Sequence, residues 1–435
     1  MSRFRPALLA SLGLTLLAGP AFAESPRASG LAGARASALG GAVSADSDDC
    51  SATYYNPANL ALGERSWLCL DYSANFAELE PAGRSEAKSS LHTVGGGLVA
   101  RGKLFALPFG FGATLALPSA KLSRIESIAA EEASWVLDTN RPRVSFGAIG
   151  FGIAPIPALS FGVALHVLAG VRGTFGVGGS LAQPNAYDSK LRHSVDADLA
   201  SARSFAAGVS LRPSNDWQLG LAYQHRARVR QSIDGTLAGT VGAPPLVIPA
   251  QYQVETVVTP AAYPSLLALS GRFELGELGL FGELAWEDYS EWPSPDEAST
   301  TSLTLGDVPV ELGTGAAPAR RAAPSPHDRW LPRLGAEYSL PLDARATLKL
   351  RGGYAFERSP LPAQRTTRWL DADRHTLTAG AGFEIVSGPS AWRIDAYGLV
   401  TLLPERTAVG ASELGPALRA SGVRAGFGLG TSYGF

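Results

Sequence analysis

The chain has 435 residues, of which 46% are hydrophobic and only 17% charged, with 49 Gly, 12 Tyr, 17 Phe and a formal net charge of −2. Charges this sparse and balanced exclude a nucleic-acid-binding surface, and no cofactor-binding composition stands out. The length suits two or three soluble domains, but no linker-like composition shift divides it, and one large barrel uses it better.

Arg3 and Arg5, the apolar run Ala7 to Leu17, and Ala21-Phe22-Ala23 form the three regions of a secretory signal peptide, residues 1–23. No comparable apolar run of about 18 residues follows, so a mature chain that lives in a membrane must cross it with strands.

Residues 24–65 do not alternate and are rich in small side chains. Asn56-Pro57 is a helix start, Asn capping and Pro at the first helical position. A compact segment ahead of a barrel is a candidate plug, with Tyr54, Tyr55, Asn56 and Pro57 facing the lumen. A disordered periplasmic tail is the alternative.

From residue 66 to 435 the chain falls into about fourteen segments of alternating polarity, the pattern of a transmembrane antiparallel β-barrel. They lie near 66–77, 91–101, 105–118, 143–153, 159–172, 202–212, 217–234, 263–275, 277–289, 329–340, 345–357, 373–386, 391–402 and 423–435. In the fifth, Leu159, Phe161, Val163, Leu165 and Val167 share one face; Ser160, Gly162, Ala164 and His166 share the other. The rival strand 250–259 is read as loop, and 125–137 as an amphipathic loop helix.

Every second connection is short and the others are long, including 119–142, 173–201, 235–262 and 290–328. Soluble sandwiches have no reason to alternate so; outer-membrane barrels do, with short periplasmic turns and long extracellular loops. The last strand ends on Phe435, the expected handle for the barrel-assembly machinery.

The run Leu39-Gly-Gly-Ala, Asp49 and Tyr54-Tyr-Asn-Pro-Ala-Asn-Leu60 resembles the N-terminal hatch of the FadL-type (OmpP1/FadL/TodX) outer-membrane transporters of fatty acids and other hydrophobic compounds. Leu219-Gly-Leu-Ala-Tyr-Gln224 is similar to a strand of that family, with Gln where Arg is common. Trp286-Glu-Asp-Tyr-Ser-Glu-Trp292, and Arg351 to Pro362 followed by Asp371-Ala-Asp-Arg374, resemble further family segments in the same order.

The resemblance implies a monomeric fourteen-stranded barrel in the outer membrane of a Gram-negative bacterium. It implies passive uptake of a hydrophobic small molecule, a fatty acid or an aromatic hydrocarbon, and its release sideways into outer-membrane lipid beside a kinked third strand. Pro108, Gly110 and Gly112 could supply the kink; alternatively Pro108 marks a strand start and the glycines face inward. Asp373 and Arg374, with Asp371, would lie at the extracellular rim, as a loop salt bridge or in ligand entry. A diffusion porin of similar fold is the second reading.

Gly426-Phe-Gly-Leu-Gly430 lies inside an alternating strand and opens no helix, so it is no dinucleotide loop. The six His show no metal-ligand spacing, and His166, with no nameable Ser partner, reads as a solvated lumen side chain. No catalytic group, metal or cofactor is expected. Cys50 and Cys69 are the only cysteines, and in an oxidising compartment they form a candidate disulfide between plug and wall; two reduced thiols are the alternative.

Overall fold

The computed structural model describes residues 33–81, 87–119, 134–135, 145–180, 190–243, 246–292, 298–305, 308–310, 326–362, 364–365, 369–410 and 417–435. The signal peptide, residues 24–32 and most of 125–137 lie outside them.

Alternation of apolar and small or polar residues sends successive side chains to opposite faces of a strand. It yields β1 Trp67–Pro81, β2 Ala87–Leu104, β3 Leu107–Pro118, β4 Ser145–Ile156 and β5 Leu159–Ser180. β6 Lys190–Leu211, β7 Trp217–Gln224, β8 Ser265–Leu275, β9 Leu278–Asp288 and β10 Arg329–Pro341 follow. β11 Ala346–Glu357, β12 Arg374–Ser387, β13 Ser390–Gly410 and β14 Leu418–Gly434 complete the wall. Each neighbour pair is antiparallel, and β14 returns to β1, Trp67 opposite Gly434 and Pro81 opposite Ala420. The sheet therefore has no edge, the condition for a sheet in hydrocarbon.

The fourteen expected segments coincide with these strands, several running further at the long-loop end. At the other end the turns are tight: Phe105-Ala106 joins β2 to β3, Gly276-Glu277 joins β8 to β9, and Gly388-Pro389 joins β12 to β13.

Polarity is sorted as a bilayer requires. On the outer face Leu68, Leu70, Leu115, Ile149, Val163, Leu165, Leu269 and Leu334 stay exposed, while Ser160, Ala164, His166, Ser210, Glu283 and Arg333 are buried on the inner face. Ala74, which shares the parity of Leu68, Leu70, Tyr72 and Phe76 that marks the lipid face, is nevertheless fully buried, because its cross-strand partners His92 and Phe427 flank it and it has no side chain long enough to emerge. Arg at Val163, a few residues above the short turns, is expected to cost about 2–4 kcal/mol of barrel stability, measured by urea unfolding in liposomes. Equal tolerance of Val163→Arg and a lipid-facing Val163→Leu would refute the parity.

Three expectations about the elements need correction. The seventh strand does not run unbroken to 234: it stops at Gln224, and residues 227–243 leave the wall. The segment 250–259 is not loop; it belongs to the strand 246–263 that pairs with 227–243 and re-enters the wall at β8. This hairpin pairs in parallel with residues 173–178 of β5, so the strand-forming pattern is real but is satisfied beyond the barrel wall. Ser134–Trp135, inside the expected loop helix, is extended and pairs with residues 369–370.

Candidate functional site

The lumen is filled by residues 33–65, whose run of small residues permits close backbone approach. Helix α1 (Ala34–Ala38) is followed by Gly40 and Gly41 at φ +66° and +79°, and the Gly41 N–H returns to the Ala36 carbonyl at 2.9 Å. These left-handed positions end the helix without a Cβ penalty. Helix α2 (Ala52–Tyr55) leads into a 3₁₀ turn, Pro57–Ala61, capped by the Asn56 carboxamide oxygen, which accepts from the Ala58 N–H at 3.1 Å.

On one side this turn rests against the wall through glycine. Gly110, Gly152, Gly162 and Gly208 stand opposite one another across β3, β4, β5 and β6. A Cβ at Gly110 would overlap the Leu60 carbonyl, at Gly162 the Pro57 carbonyl carbon, and at Gly208 the Asn56 Oδ1. Four strands thus form a seat that only glycine can form. Asn56 Nδ2 donates to the Ser44 and Val209 carbonyls at 2.9 and 3.3 Å, and Gln224 Nε2 donates to the Tyr54 carbonyl at 2.5 Å. Gln224 is the residue that departs from the family pattern.

His166 is not solvated. It is 5% exposed, stacked on Tyr54 with ring centroids 5.8 Å apart and edge-on to Phe146 at 5.3 Å. Its aromatic body packs the plug against β4 and β5.

The opposite wall holds the plug through charge. Arg35 of α1 meets Glu337 at 3.3 Å and Asp46 at 3.1 Å, and Arg351 bridges Glu337 and Asp395, each at 2.5 Å. Arg333 pairs with Glu283 at 2.8 Å, while Arg393 joins Asp48 at 2.9 Å and lies over the Trp67 ring. Burial alone would raise the Asp48 carboxyl, but Arg393 and Arg35 overcome it and hold the group far below the usual carboxylate range. Its contribution to plug docking is therefore complete above that range and lost only as pH falls toward the lowered value.

Cys50 and Cys69 are bonded, with Cα atoms 6.3 Å apart and a sequence separation of 19. The bond ties the plug to β1. A Cys50→Ser/Cys69→Ser variant is expected to lose about 3 kcal/mol of stability from loop-closure entropy. Thermal unfolding with and without reductant checks this: only the native chain should shift.

Tyr54, Tyr55, Asn56 and Pro57 are all buried at plug–wall contacts and offer no open surface to a ligand. Pro108 stands at the second position of β3 opposite Lys103, the register of β3 runs without a shift on either side, and Gly110 seats the plug. Arg374 pairs with Asp371 at 2.6 Å, both buried, and Asp373 accepts from the Ser359 N–H at 2.8 Å, which is the loop salt-bridge reading.

Above the plug, at the long-loop end, Leu79 of β1, Leu91 of β2, Leu403 of β13 and the loop residues Trp135 and Leu370 form an inward apolar cluster. Trp135 Nε1, Asp371 Oδ2 and Arg374 Nη1 are buried there without a hydrogen-bond partner among the described residues. Apolar walls with a few convergent polar atoms are what a binding pocket for a hydrophobic molecule needs. Sequence reading missed Trp135, which it placed in a loop helix, and Leu370, which lies between strands. It also missed the inward charges Glu283, Arg333 and Glu337, although their place on the polar face of alternating strands marks them.

The profile of the family described as Outer membrane protein transport protein (OMPP1/FadL/TodX) matches residues 104–397. The chain belongs to this family. Its members are outer-membrane transport channels for hydrophobic compounds, so the short turns are periplasmic and the long loops extracellular. The fold is also that of a Pseudomonas aeruginosa FadL homologue, with 15% identity over 96% of this chain and 99% of that one and a TM-score of 0.54. It matches the Pseudomonas putida toluene transporter TodX at 16% identity, 93% and 98% coverage and a TM-score of 0.53. A TodX deletion mutant described as a monoaromatic hydrocarbon channel matches at 16% identity, 92% and 98% coverage and 0.55. No curated protein matches the chain.

Proposed function

We propose that this FadL-type barrel takes up small hydrophobic molecules passively, in the class of monoaromatic hydrocarbons or long-chain fatty acids, and releases them sideways into the bilayer. The observation that carries the reading is a lumen closed by a covalently tethered plug beneath an apolar cluster at the extracellular mouth. Water and ions find no path through such a plug. An apolar solute gains roughly 25 cal/mol per Å² by leaving water for the cluster, and gains it again on entering hydrocarbon. A lateral route fits a plug that stays in place.

The wall ladder is shortest between β6 and β7, six residue pairs from Ala206 opposite Gln224 to Leu211 opposite Leu219, so parting it costs the fewest hydrogen bonds. That seam is a better exit than the unbroken flanks of β3. The protein acts as a monomer, with Phe435 presented to the barrel-assembly machinery.

Labelled toluene and oleate uptake by cells carrying the protein, alongside planar-bilayer conductance, tests the reading. Faster uptake of either solute with negligible ion conductance is expected. Porin-like conductance without solute preference would sink it.

A further inference from the structure

Among the described residues three histidines, His92, His225 and His375, lie on the outer face of the barrel, and each is paired in the same way. Tyr72 Oη lies 2.7 Å from His92 Nδ1, Tyr223 Oη 3.0 Å from His225 Nδ1, and Tyr354 Oη 2.8 Å from His375 Nδ1. Each imidazole also meets a phenylalanine: Phe76 edge-on at 5.9 Å, Phe205 stacked at 4.8 Å, and Phe356 at 4.9 Å. The same trio thus occurs at three separated places on the circumference.

The trios all sit toward the long-loop end of the barrel. His92 and His375 stand 12 residues above the periplasmic ends of β2 and β12, and His225 stands 8 above the start of β7. At a rise of about 2.5 Å per residue for a tilted strand, that is roughly 30 Å for His92 and His375 and roughly 20 Å for His225, the outer part of an apolar band about 25 Å tall and its edge. Beyond two of the trios the next outward residue is charged, Glu78 after Phe76 and Arg358 after Phe356. The periplasmic belt differs: its outward aromatics include Trp217, Phe273, Tyr338, Trp392 and Phe435, with no histidine beside them among the described residues.

Chemistry fixes what such a pair presents. If the tyrosine O–H donates to Nδ1, the imidazole keeps its hydrogen on Nε2. If Nδ1–H donates to the phenol oxygen, the O–H is free. Either way one donor remains for the headgroup layer, and a charged imidazole leaves two. The outer leaflet of this membrane differs from the inner one in its lipid A, whose phosphates are strong acceptors on a glucosamine backbone. An asymmetric belt matches an asymmetric bilayer.

We propose that the three Tyr–His pairs are binding sites for the phosphates of lipid A, with the neighbouring phenylalanine covering the adjacent acyl roots. The experiment is native mass spectrometry of the full barrel released from mild detergent, with three lipids: bisphosphorylated lipid A, the same lipid with both phosphates removed, and phosphatidylglycerol. The native protein should retain up to three bisphosphorylated lipid A molecules and show no comparable retention of the other two.

Replacing one histidine by Phe, which keeps the ring, should lower the maximum by one. The triple variant His92→Phe/His225→Phe/His375→Phe should lose them all while keeping heat-modifiable migration. The single variants give the same readout if the triple variant does not fold. Unchanged retention overturns the proposal. So does an equal loss of the phosphate-free lipid, which would mark a plain aromatic belt, or retention of phosphatidylglycerol with the same histidine dependence, which would assign the sites to phospholipid.

Discussion

Deleting residues 33–60 in a Cys69→Ser background turns a nearly non-conducting barrel into an open pore. The lumen of a fourteen-stranded barrel is wider than its own inward side chains can fill, since eight strands already suffice for side-chain filling and porins of about sixteen conduct water. In this chain the remaining space is taken by α1, α2 and the Pro57–Ala61 turn, whose residues are almost all buried. Their removal leaves a polar lumen lined by Glu283, Arg333, Glu337 and Arg351, which water will enter. Single-channel recording should show a sharp rise in conductance. An unchanged trace would mean that the segment does not seal the barrel.

A single methyl-bearing side chain in the glycine seat should loosen the same plug. Gly162→Val places atoms where the Pro57 carbonyl lies, and neither the β5 backbone nor the capped turn can yield without losing hydrogen bonds. Overpacking of this kind costs about 1–3 kcal/mol. Gly282→Val is the control, because nothing lies within 4 Å of a Cβ there and the position faces lipid. Bilayer recordings should show flickering conductance from Gly162→Val and silence from Gly282→Val. Equal behaviour would show that the seat has slack and that the plug is held by its charges and disulfide alone.

The wall was legible because its physics is local. A strand in a bilayer must alternate along its own length, so Leu68, Leu70 and Tyr72 declare the outer face and Cys69 and Ser73 the inner one without knowledge of any neighbour. Loop lengths then orient the sheet, and closure follows from the absence of any tolerable edge. The capped Asn56-Pro57 turn and the cysteine pair were legible for similar reasons, one a local backbone motif and the other a pair too few to leave alternatives. Where the pattern was followed too literally, it misled: it carried the seventh strand to 234, but residues 227–243 pair with 246–263 beyond the wall, a distinction that alternation does not encode.

What the sequence by itself determined is the barrel, its strand parity and its orientation, because each rests on the chain's contact with solvent or lipid. What only the tertiary structure decided is how the lumen is filled. Gly110, Gly152, Gly162 and Gly208 show no common role until register sets them side by side against the plug. Arg35 and Glu337 are 302 residues apart, and Trp135 reaches Leu370 from another loop. These are contacts between the chain and itself, and only closure of the sheet around the plug brings their partners together.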